Sequence, residues 1–144
     1  MRRLILLAED DQDDRIIFAE AFEELQHPDI RLETVDDGID LINHVNRLSH
    51  EDELPHLFIL DQNMPKMTGK ATLTYLKSQE RFRHIPVVIY STYPDASLVN
   101  EFIQLGADQV IAKPDSYNGF KDMVHEFMKT YVNVDRNVKE SVKE

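Results

Sequence analysis

Five short apolar runs recur along the chain with helix-period segments between them, and this alternation limits the fold more than any other feature. The runs fall at residues 4–8, 30–34, 57–60, 87–90 and 109–112. Regular alternation of this kind predicts parallel strands joined by crossover helices. The run Leu57-Phe58-Ile59-Leu60 is apolar at every position, which implies cover on both faces of the sheet. The run at 30–34 is only half apolar and predicts a less buried strand.

Helices are expected over residues 13–25, 38–48, 70–79, 95–105 and 116–131. Their inward stripes would be Ile17, Ala21 and Leu25; Leu41, Ile42, Val45 and Leu48; Leu98, Phe102 and Leu105; and Phe120, Val124, Phe127 and Tyr131. Gly106 is placed to end a helix in the left-handed conformation. Residues 49–55 read as a polar, acidic connection and residues 132–144 as a polar tail that frays, leaving 1–131 as the domain.

The length of 144 residues suits one domain with one core. With 16 Lys and Arg against 27 Asp and Glu, the formal charge is −11, which argues against nucleic acid and anionic membranes as partners. The absence of Cys removes disulfides, thiolate zinc sites and thiol nucleophiles. The opening apolar run stops at Glu9, too short for a membrane span and without the features of a secretory signal. A cytoplasmic single-domain protein is the expectation, a monomer or weak homodimer, with no room for an output domain.

A doubly wound parallel sheet leaves its ligand crevice at the carboxyl ends of the strands. Here those ends carry Glu9-Asp10-Asp11, Asp61-Gln62-Asn63, Ser91-Thr92 and Lys113-Pro114. Carboxylates about 5 Å apart repel by ~3 kcal/mol per pair at an effective dielectric of ~20, and a hard divalent cation relieves that repulsion. Magnesium suits such a site, because it prefers oxygen ligands and uses one or two protein carboxylates beside waters and phosphate oxygens. Asp10 and Asp61 are the leading ligands. The competing reading is that Glu9, Asp10 and Asp11 only cap the first helix, but capping explains neither Asp61 nor Lys113-Pro114.

At these residues the sequence resembles the receiver domain of bacterial two-component response regulators, over roughly residues 3–131. The most specific stretch, Asp61-Gln62-Asn63-Met64-Pro65-Lys66-Met67-Thr68-Gly69, is similar to that family's Asp-x-x-Met-Pro-x-Met-x-Gly pattern. The resemblance implies a flavodoxin-like fold with strand order 2-1-3-4-5. It makes Asp61 the phosphoryl acceptor, Asp10 a direct magnesium ligand, Glu9 an indirect one through water, and Asn63 a ligand through its backbone carbonyl. Asp11 would be a third acid beside them. Ser91 matches the hydroxyl that bonds a phosphoryl oxygen, and Lys113 the lysine that pairs with acceptor or phosphoryl group. It also implies a cis peptide at Lys113-Pro114.

Two positions depart from the family pattern. Val110 stands where many members carry an aromatic switch residue, and Tyr93 brings a bulky ring to a position that tunes water access to the acyl phosphate. The stretch at 47–56 is similar to stand-alone receivers, some of them paired with phytochrome-type kinases. The expected function is therefore a single-domain response regulator that takes phosphoryl from a sensor histidine kinase or phosphotransfer protein, hydrolyses it slowly, and signals to a downstream protein. A magnesium-dependent aspartyl phosphatase would need a general acid where Asn63 stands. A degenerate scaffold would not need acceptor, acids, hydroxyl and lysine together. No metal-binding spacing joins the six His residues, which are assigned to the surface and to partner contacts.

Overall fold

Each apolar run has two faces to bury, and the alternation of side chains along a strand divides them. In the computed structural model, which describes residues 3–132, β1 (Arg3–Ala8) sends Leu6 and Ala8 to one side and Ile5 and Leu7 to the other. Likewise β3 (Leu57–Asp61) sends Phe58 and Leu60 one way and Leu57 and Ile59 the other. The same split holds in β4 (Val87–Ser91), with Val87 and Ile89 opposite Val88 and Tyr90. With β2 (Ile30–Val35) and β5 (Gln109–Ala112) these form one parallel sheet in the order β2-β1-β3-β4-β5, the expected doubly wound topology.

Helices cover both faces. On one side α1 (Gln12–Glu24) and α5 (Tyr117–Phe127) bury Phe18, Ala21, Phe120 and Val124 against the sheet. On the other, α2 (Gly38–Asn46), α3 (Gly69–Ser78) and α4 (Ala96–Gln104) bury Leu41, Val45, Leu73, Leu76 and Phe102. All five helices begin at a side-chain cap: Asp11, Asp37, Thr68, Asp95 and Ser116 each accept a hydrogen bond from an amide three residues on. Gly106 has φ +112°, the left-handed ending expected after α4.

Some expectations shift. The inward face of α1 is Phe18 and Ala21, with Ile17 and Leu25 half-buried beside them. The connection at 49–55 contains a 3-10 turn, Glu51–Glu53. The last helix changes to a π turn at Met128–Val132, and Val132 is buried, its carbonyl accepting from Arg3 Nη1 at 2.8 Å. The expected tail begins at this residue, and the remainder of it, 133–144, lies outside the described residues. The cis peptide expected at Lys113-Pro114 is a correction: among the described residues no peptide is cis. The trans form is the lower-energy one for any X-Pro bond, and Lys113 reaches its partners in it.

His56 is not a surface histidine. Its backbone N–H donates to Leu4 O at 2.8 Å, and Leu4 N–H donates to its Nδ1 at 3.3 Å, tying the start of β1 to the segment before β3. Burial, aided by the charge of Arg3, pushes its pKa below the ordinary 6.5. A depressed histidine pKa means the unfolded chain takes up the proton first, so stability is lost as pH falls below about 6.5. Comparing His56→Ala with the parent by urea unfolding should show a shallower acid-side slope in the variant; parallel slopes would refute the assignment.

Candidate functional site

The alternation that builds the core also builds the site. Continuing Ile5 and Leu7 by two residues gives Glu9, and continuing Leu57 and Ile59 gives Asp61, both emerging on the face covered by α1 and α5. Ile111 packs on that face, and two residues later comes Lys113. Sequence positions 9, 61 and 113 therefore meet beside Tyr90 at one corner of the sheet. Gln62 and Ser91 continue the opposite set, and there the Ser91 hydroxyl donates to Gln62 Oε1 at 2.5 Å.

Glu9 is fully buried and Asp61 5% exposed, so each charge is held by protein groups rather than water. Tyr90 O–H donates to Glu9 Oε1 at 2.7 Å, and Asp11 N–H donates to Glu9 Oε2 at 3.0 Å. Asn63 N–H donates to Asp61 Oδ1 at 3.1 Å. The Lys113 ammonium lies 3.0 Å from Glu9 Oε1, 3.0 Å from Asp61 Oδ2 and 3.1 Å from Asp14 Oδ2, with the Tyr90 ring centroid 5.1 Å away.

Burial, then the hydrogen bond with Asp61, pushes Glu9 up to about 7. Burial opposes the charge on Lys113, but its bonds to Asp61, Glu9 and Asp14 outweigh that cost and raise its pKa. Burial and the charge of Glu9 hold the Tyr90 hydroxyl well above the ordinary tyrosine range, so it remains a donor.

The competing readings of the first acidic run both apply, to different residues. Asp11 caps α1, accepting from Asp14 N at 3.0 Å. Glu9, Asp10 and Asp61 instead offer one carboxylate oxygen each, all within 4.8 Å of one another. An all-oxygen, carboxylate-rich donor set fits a hard cation such as magnesium. Asp10 and Asn63 are exposed at the rim, Val110 is half-buried in β5, and Tyr93 is 87% exposed.

Two contributors, Asp14 and Tyr90, lie outside the strand-end pattern, and Gln62 stood within it without an assigned role. Tyr90 and Gln62 were open to the period-two count, since they share the faces of Glu9 and Ser91 respectively. Asp14 carried no such sign, since it lies within α1 rather than on a strand.

The comparisons agree with this architecture. The probable methanogenesis regulatory protein FilR2 of Methanothrix harundinacea is 30% identical over 137 residues, covering 93% of this chain and 86% of that protein. A probable chemotaxis protein CheY of Rhizobium etli is 29% identical over 110 residues, 76% of this chain and 80% of the relative. The crystal structure of the phosphorylated cyanobacterial phytochrome response regulator RcpA superposes with a TM-score of 0.80 at 24% identity, covering 92% of this chain and 95% of RcpA. The family model for the response regulator receiver domain matches residues 5–125. A match over that span, on a sheet wound in the same order, means that the chain belongs to the response regulator receiver domain family.

Proposed function

We propose that this receiver domain accepts a phosphoryl group on Asp61, in a magnesium-dependent reaction, from the phosphohistidine of a sensor histidine kinase or phosphotransfer protein in the cytoplasm. The observation that carries the reading is the Lys113 ammonium 3.0 Å from Asp61 Oδ2, beside three carboxylates converging within 4.8 Å. Asp10 and Asp61 would ligate magnesium directly, Glu9 through water and Asn63 through its carbonyl. The ion, when bound, neutralises charge on the phosphoryl oxygens.

Phosphoryl transfer runs through a loose transition state with charge on the equatorial oxygens, so the protein's task is to aim groups and balance charge. An Asp61 oxygen forms the new O–P bond as the donor's N–P bond breaks, and the departing imidazole keeps the electron pair. Lys113 provides a fixed positive charge beside the acceptor, and the Asn63 amide holds the carboxylate by its other oxygen. Ser91 exchanges its bond to Gln62 for one to a new phosphoryl oxygen. That exchange biases the surface a downstream protein reads. With Val110 in place of an aromatic ring, the shift uses backbone and packing. Among the described residues no helix is long and apolar enough to cross a membrane.

Incubation with acetyl phosphate and magnesium should add the mass of one phosphoryl group, mapped to Asp61 and abolished by chelator. An unmodified mass in magnesium would reject the reading. Rapid multiple turnover of unrelated phosphomonoesters would instead make the protein a phosphatase.

A further inference from the structure

Asp14 stands in the first turn of α1, where an acid suits the helix dipole, and that alone could account for it. Its geometry goes further. The side chain turns across to β5's end, where Oδ2 accepts from Lys113 Nζ at 3.1 Å, 99 residues away along the chain. An ammonium has three N–H donors, and the three carboxylate partners here are Asp14, Glu9 and Asp61. Glu9 and Asp61 also belong to the group that can hold a cation, whereas Asp14 does not.

The stem of a lysine is flexible and its charge compact, so the attraction it exerts depends on where it is held. Burial helps, since the Lys113 side chain is only 14% exposed and lies over the Tyr90 ring. A carboxylate that takes no part in metal or phosphoryl chemistry can hold it throughout the reaction. We infer that Asp14 is a positioning residue, anchoring the Lys113 ammonium so that one N–H stays aimed at Asp61 while Glu9 and Asp61 are engaged elsewhere. The inference rests on the proposed role of Asp61 as acceptor.

Two measurements on the full chain test it, with Asp14→Ala, Asp14→Asn and, as a control, Asp13→Ala. Asp13 shares the first turn of α1 and is exposed. First, without metal, competitive acetylation of Lys113 followed by peptide mass spectrometry should run several-fold faster in Asp14→Ala. Asp14→Asn, which keeps an oxygen acceptor, should be intermediate, and Asp13→Ala should match the parent. Second, at saturating magnesium the rate constant for adduct formation from acetyl phosphate should fall about tenfold in Asp14→Ala, less than the ~10²-fold that a 1 Å misplacement of a catalytic group can cost. The magnesium midpoint should stay at the parent's value, and the rate loss should persist at a temperature where both proteins are fully folded, because the lost dipole contact and ion pair lower the melting temperature modestly.

Unchanged Lys113 labelling overturns the inference, as does a rate loss explained by weaker magnesium binding or lower stability. If the parent forms no adduct, the acceptor reading fails and this inference with it. A parent adduct with equal rates in Asp14→Ala removes the inference alone.

Discussion

Replacing Lys113 with alanine is expected to slow formation of the Asp61 adduct by roughly 10²–10³-fold, the loss typical when one preorganised group facing developing charge is removed. The same substitution should change the resting protein in two further ways. Glu9 is fully buried and the Asp61 side chain 6% exposed, so without the ammonium two nearby carboxylates lose their shared counter-charge. Removing one partner of a buried ion pair costs about 3 kcal/mol or somewhat more. Unfolding in chelator should therefore show a clear loss of stability, with magnesium restoring part of it. A cation at about 100 times its Kd adds ~2.7 kcal/mol to the folded state, and Lys113→Ala should bind magnesium more tightly than the parent. Equal magnesium affinity in the two proteins would mean that lysine and ion do not answer the same charge.

The second large effect is expected at Gly69, the last residue of the Asp61-to-Gly69 stretch. Its amide donates to Gln62 O at 3.1 Å, folding the loop back on the strand end. A Cβ at this position would lie 2.6 Å from the Asp61 carbonyl oxygen and 3.0 Å from Gln62 Cα. These are backbone atoms, which cannot turn aside as a side chain would. Gly69→Ala must therefore push α3 away from β3 or displace the peptide that carries Asp61. Overpacking of this kind costs about 1–3 kcal/mol. Here it also moves Asp61, the proposed acceptor, relative to Lys113, so the adduct rate should drop with stability. Gly69→Ala with the parent's denaturation midpoint and adduct rate would show that the loop has slack the close approach denies.

The sheet was legible in the sequence because burial on two faces leaves an unmistakable mark: β3 and β4 are buried at every position. Helix starts lie within one residue of those expected from the apolar period, each just after a residue type that caps: Asp11, Asp37, Thr68, Asp95 and Ser116. The site residues could be named one by one from the strand ends and from family resemblance. Their pairing could not, since which carboxylates Lys113 touches depends on how α1 lies against the sheet, and Asp14 is 99 residues away. The trans Lys113-Pro114 peptide marks the opposite limit: that expectation came wholly from resemblance, and the chain departs from it. His56 shows a third limit, because a histidine before an apolar run looks the same whether its ring faces solvent or caps a strand.

The strands divide the polar apparatus between two compartments. Glu9, Asp61, Tyr90 and Lys113 stand on the side of α1 and α5, while the Ser91–Gln62 bond belongs to the side of α2, α3 and α4. The sheet is in effect a bulkhead with dry cargo packed against both walls, so nothing polar crosses it amidships. Asp61 and Gln62 are adjacent in the chain, so a single peptide joins the two compartments at the strand end, and a charge added at Asp61 would stand one residue from the Ser91–Gln62 bond.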